Sequence, residues 1–103
     1  MDPVYHAGMQ VLDNEGRYAG TVEDVLSDKH GAARYLVVRD RGIFSDDVVL
    51  PVSGARLMGD SIHYALKRDE IHNSERYSEQ RFGAAAGFTS AATANYDLQD
   101  EAR

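Results

Sequence analysis

The sequence predicts an all-β fold: a small, strongly bent antiparallel barrel with a short closing helical turn and a flexible C-terminal tail. Three observations predict it. Short runs rich in Val, Leu and Tyr recur from Met9 to Leu66, each closed by a turn of Gly, Asn, Asp or Ser. One of those runs, Tyr35-Leu36-Val37-Val38, is apolar on both faces, so it needs cover on both sides. After Asn73 the composition turns to Ala, Gly and Ser, with a single leucine, Leu98.

The first strand, Met9 to Asp13, alternates Met9 and Val11 against Gln10 and Leu12. Asn14-Glu15-Gly16 closes it tightly, because Gly16 takes a positive φ at no steric cost. The second strand begins at Tyr18. Val22 and Val25 stand three residues apart in it, which strict alternation cannot place on one face, so a bulge is expected at Glu23-Asp24. Gly20 marks a sharp bend or a close backbone approach.

After the turn Asp28-Lys29-His30-Gly31, the third strand puts Leu36 and Val38 on one face and Tyr35 and Val37 on the other. Asp40 to Asp46 is a loop with Ile43 and Phe44 at its tip. The fourth strand, Asp47 to Val52, turns Val48, Leu50 and Val52 inward and Val49 outward. Pro51 lacks an N–H and marks a sheet edge or a strand end. Leu57-Met58 is a short pairing segment, Gly59-Asp60 a hairpin turn, and the fifth strand carries Ile62, Tyr64 and Leu66 on one face. Arg68 to His72 is a closing helical turn with Ile71 plugging the barrel end.

The domain is expected to span residues 1–73, with 74–103 a tail that is disordered or helical in patches, since alanine is the best helix former. Tyr77, Phe82, Phe88 and Tyr96 are spaced along that tail, and docking is the competing reading for them. A folded part of that size buries only about 60–65% of its unfolded surface. With no cysteine in the chain, disulfides and thiolate zinc sites are excluded, so association is the expected supplement.

The 103 residues carry a net charge of −6. The eight Lys and Arg of residues 1–73 are scattered among twelve Asp and Glu, which disfavours nucleic acid as the partner. No apolar run approaches the ~20 residues a membrane helix needs, so no membrane insertion is expected. The acidic start Met1-Asp2-Pro3 is unlike a secretory signal, which points to the cytoplasm.

Set out in order, Gly8-Met9-x-Val11, Asp13-x-x-Gly16, Gly20-Thr21-Val22-x-Asp24-Val25, Gly31, Tyr35-Leu36-Val37-Val38, Arg41-Gly42-Ile43-Phe44, Asp47-Val48-x-Leu50-Pro51 and Asp69-Glu70-Ile71 resemble the PRC-barrel family over residues 5–72. The resemblance implies a strongly bent barrel that serves mainly as a binding module. The family's barrel forms the cytoplasmic part of the photosynthetic reaction centre and one domain of the ribosome maturation factor, and its stand-alone archaeal members look like cell-division adaptors. Neither a membrane helix nor a second domain is found here, which favours the stand-alone class. The family offers no shared catalytic residues to carry over.

No residue pattern assembles a chemical site. Gly59-Asp60-Ser61 with Asp69-x-x-His72 has the look of small esterase blocks, but here it reads as a turn followed by a helical turn. His6, His30, His63 and His72 show no helical metal-site spacing, and Asp13-Asn14-Glu15-Gly16 lacks a calcium loop's length and distal Glu. Neither an enzyme nor a cofactor is expected. The informative residues are the apolar ones without a core place: Tyr35, Val37 and Val49 on one wall, Ile43 and Phe44 on the loop. These five form the expected protein interface. The competing reading buries Tyr35 and Val37 inside a bent barrel. The expected function is a self-associating, dimeric adaptor that binds a protein partner, and the alternative is an RNA-processing or ribosome-assembly accessory.

Overall fold

Two turns of one construction organise the first half of the chain, in a computed structural model that describes residues 5–40 and 47–91. In each turn an Asp side chain accepts from the backbone N–H groups two and four residues ahead. Asp13 Oδ1 accepts from Glu15 at 2.8 Å and Arg17 at 2.9 Å. Asp28 Oδ1 accepts from His30 at 2.8 Å and Ala32 at 3.1 Å. The glycine three residues after each Asp is left-handed, Gly16 at φ +81° and Gly31 at φ +84°. Donation to the charged form holds both carboxyls below the ordinary Asp range. The Arg17 N–H contributes most at Asp13, where burial opposes it, and the Ala32 N–H contributes most at Asp28.

These turns connect β1 (Gln10–Leu12), β2 (Tyr18–Ser27) and β3 (Ala33–Arg39). β4 (Val48–Pro51), β5 (Ala55–Met58) and β6 (Ser61–Tyr64) follow, then the helical turn α1 (Arg68–His72). The strands form one curled sheet in the order β4-β3-β2-β1-β6-β5. Neighbours are antiparallel except β1 and β6, which run parallel with Val11 beside Ile62. The expected antiparallel sheet therefore contains one parallel pair in its interior, since β1 and β6 run the same way.

The bulge lies where the valine spacing puts it. Pairing of β2 with β3 jumps from Val22↔Val38 to Asp24↔Val37, leaving Glu23 as the extra residue. Val22 and Val25 consequently both reach the interior. Opposite the bend, Gly20 lies so close to β3 that a Cβ there would stand 2.6 Å from Val38 Cγ1 and 3.2 Å from Arg39 O. The inner core gathers Met9, Val11, Val22, Val25, Leu36, Val38, Leu50, Ile62 and Tyr64. Ile71 of α1 plugs its end and is fully buried. Tyr64 donates to Pro51 O at 2.9 Å, and burial, with Tyr5 nearby, pushes its phenol well above the usual range. Leu66 falls beyond β6 and packs on this core half-buried.

Packed structure continues past residue 73, a departure from the expected tail. Glu75 O accepts from Val49 N at 2.7 Å and Tyr77 N donates to Asp47 O at 3.1 Å, so residues 75–77 lie along the outer edge of β4. α2 (Glu79–Phe82), a 3₁₀ turn (Ala84–Ala86) and β7 (Thr89–Ser90) follow. β7 pairs with the far half of β2, Leu26↔Ser90 and Ser27↔Thr89. The alanines contribute little. Three aromatic side chains make the contact, and each can bury ~150–250 Å².

Candidate protein-interaction surfaces

The outer face of β3 and β4 is the first surface, since the sequence places Tyr35, Val37 and Val49 there. Val37 and Val49 are cross-strand partners, and Tyr35 stands beside Leu26 of β2. The bulge at Glu23 is what turns Leu26 to this outer side while Val25 stays inside. Four adjacent apolar side chains on an outer wall need cover.

The chain supplies that cover itself. Phe82 closes over Leu26, Val37 and Val49 to make a second core, with Tyr35, Tyr77 and Phe88 packed around it. Val37 and Val49 are each 4% exposed, so they offer no surface to another molecule while this segment is seated. Tyr35 meets Phe82 edge-on at 5.2 Å between centroids and Phe88 edge-on at 5.4 Å, the favoured aromatic geometry. Tyr35, Val37 and Val49 are thus brought together as expected, but against an internal partner.

A cavity of about 620 Å³ lies beside this second core, lined by Val37, Phe82 and Phe88 and by Glu23, Asp24, Asp47 and Glu79. Its carboxylates have structural partners. Asp47 Oδ1 accepts from Arg39 Nε at 2.7 Å, Glu79 Oε1 accepts from Tyr77 Oη at 3.1 Å, and Asp24 accepts from the Ser90 hydroxyl. Burial, then Glu79 and Asp24, raise the Tyr77 phenol above its ordinary value. Of these contacts, Ser90 to Asp24 ties the C-terminal segment to the barrel.

Ile43 and Phe44 lie outside the described residues. The described residues on both sides of that stretch are anchored. On one side, Asp40 Oδ2 stands 3.0 Å from His72 Nε2 and 3.3 Å from Arg68 Nη2, with Asp40 and His72 both buried. His72 Nε2 is also 3.0 Å from Ala19 O, so this nitrogen faces two acceptors and carries the proton. On the other side stands the Arg39–Asp47 pair. His72, the histidine of the esterase-like pattern, spends this N–H on the fold.

The second surface is one that sequence reasoning missed. Among the described residues the exposed large hydrophobics are Tyr18, Leu57 and Met58, at 40%, 37% and 53% exposure. Tyr18 and Met58 lie on the outer face of β2, β1, β6 and β5, whereas Leu57 pairs with the buried Ile62 and stands on the other face at the end of the sheet. The pairing registers set two rows across the outer face, Tyr18–Leu12–His63–Arg56 and Thr21–Gln10–Ser61–Met58. The signal was present in Leu57-Met58: two consecutive apolar residues in a strand point to opposite faces, so one of them must face out.

Comparison with known proteins was informative at the family level. The family model described as "PRC-barrel domain" matches residues 7–70, so the match ends before the segment that covers β3 and β4. No curated protein matches the chain.

Proposed function

We propose that this chain, which belongs to the PRC-barrel domain family, is a non-enzymatic adaptor that associates with itself and binds a protein partner. Family membership supports a protein-interaction module in general terms. The observation that carries the finer reading is the placement of the exposed apolar groups. Tyr18 and Met58 are exposed on the outer face of β5, β6, β1 and β2, whereas Val37 and Val49 on the outer face of β3 and β4 are buried, so contact with other molecules belongs to the β5–β6–β1–β2 side. No helix of the described residues is long and apolar enough to cross a membrane. A cytoplasmic setting belongs to the same proposal.

The net charge of −6 opposes the ribosome-assembly alternative, because phosphate neutralisation needs a basic face. Affinity capture with the full chain as bait, repeated with a Tyr18→Glu, Met58→Glu double variant and after nuclease treatment, tests the reading. A protein partner retained after nuclease and lost with the variant supports it. Capture of RNA and ribosomal proteins that nuclease abolishes overturns it.

A further inference from the structure

The chain has no cysteine and three methionines, so its redox-responsive sulfur is all thioether. The two methionines among the described residues sit in opposite surroundings. Met9 belongs to the inner core at 4% exposure, and its Sδ accepts from the backbone N–H of His6 at 3.4 Å. Met58 is 53% exposed, more than Tyr18 or Leu57. It ends β5, pairs with Ser61 of β6 and precedes the left-handed Gly59. Its side chain stands on the outer face, in the row Thr21–Gln10–Ser61–Met58.

We infer that Met58 is a site of reversible oxidation, taking one oxygen atom from a peroxide, and that its sulfoxide weakens self-association through this face. This rests on the self-association reading above and deepens it by naming what regulates it. A lone pair of Met58 Sδ attacks one peroxide oxygen and forms the S–O bond. The O–O bond breaks, and the second oxygen leaves as water. Sulfur gives up two electrons and the peroxide takes them. A thiol-dependent sulfoxide reductase reverses the step: two thiols become a disulfide, and the oxygen departs as water.

Position turns this chemistry into a switch. An unbranched thioether adapts to an uneven contact, and methionine is over-used at binding surfaces for that reason. Its sulfoxide is polar, so burying it against an apolar surface costs free energy unless a donor meets it. The barrel is insulated from the change, because Met58 lies outside both of its cores. Burial of Met9 shields the one described methionine whose oxidation would place a polar group among core residues. An oxidant therefore reaches the docking face before it reaches the fold. Docking and oxidation also oppose each other, since a seated copy covers the Met58 sulfur and linkage is reciprocal.

Light scattering on the full chain across micromolar concentrations, before and after graded hydrogen peroxide, tests this. Mass spectrometry of peptides places each sulfoxide, and circular dichroism confirms that every protein folds. Peroxide is expected to convert Met58 while Met9 stays reduced, and to weaken association by about tenfold or more. A methionine sulfoxide reductase with dithiothreitol should restore it. Met58→Gln, polar without any oxidant, should weaken association in the same way. Met9→Leu should respond to peroxide as the wild type does, whereas the association of Met58→Leu should not change from its own untreated value. A strictly monomeric wild type overturns the self-association reading itself. A dimer that survives full conversion of Met58 leaves that reading standing and overturns the switch. Sulfoxide forming at Met9 as readily as at Met58, or peroxide weakening Met58→Leu as it weakens the wild type, overturns the assignment to Met58.

Discussion

Phe82 stands edge-on to Tyr35, with ring centroids 5.2 Å apart and planes at 72°, and this contact joins a segment outside the family match to β3 of the barrel. A barrel of this size has a marginal core of its own. The second core under Phe82 adds to it by burying Leu26, Val37 and Val49 on the outer face.

Phe82→Ala is therefore expected to destabilise the protein by about 3–5 kcal/mol, the cost of removing a buried Phe. Ala85→Ser, an exposed change on the same segment, should stay within about 0.5 kcal/mol. Urea midpoints of the two variants check this. Equal midpoints would mean that the segment adds no stability to the barrel.

Gly20→Ala should destabilise by about 1–3 kcal/mol, because the new methyl would meet Val38 Cγ1 and the Arg39 carbonyl across the closest approach of β2 and β3. Val38→Ala made alone costs stability by leaving a cavity. In the double variant the added methyl occupies part of that space, so the two penalties should sum to less than their separate values. Thermal melts of the four proteins in this cycle give the coupling. Strict additivity would show that the backbone, not Val38, takes up the strain.

The Asp13 turn makes stability depend on pH with a definite sign. Its carboxyl is held below the ordinary Asp value, chiefly by the Arg17 N–H. A group whose folded pKa is depressed contributes stability above its unfolded value, about 3.9, and loses it as pH falls through the lower folded value. Asp13→Asn should therefore be less stable than wild type near neutrality, with the gap closing well below about pH 4. Urea midpoints across that range decide. A gap that stays constant on acidification would show that the charge is not what the turn uses.

Much of the barrel was legible because each signal is local. Asp-x-x-Gly wrote both turns, and the spacing of Val22 and Val25 wrote the bulge. The parallel pairing of β1 with β6 was not legible, since it joins segments about fifty residues apart and leaves no mark on either. The covering segment was half legible. The two apolar faces of Tyr35–Val38 demanded a cover and Tyr77, Phe82 and Phe88 stood unassigned, yet a segment poor in aliphatics does not look like core. Three aromatics suffice there because they seat on a wall that is already built. Ile43 and Phe44 fall outside the described residues; the residues on either side of that stretch are held by Asp40 with His72 and Arg39 with Asp47.

The central claim is that one wall of this barrel is closed from within and the opposite wall meets other molecules. Amide hydrogen exchange of the full chain at low and high protein concentration tests it most directly. The account predicts that the amides of Val49, Tyr77 and Phe82 are protected at every concentration, since they donate to Glu75, Asp47 and Ser78 within one chain. Protection that appears only as concentration rises should fall on β5, β6 and β1. Rapid exchange at Tyr77 and Phe82, with concentration-dependent protection at Tyr35–Val38 instead of β5, β6 and β1, would contradict the account.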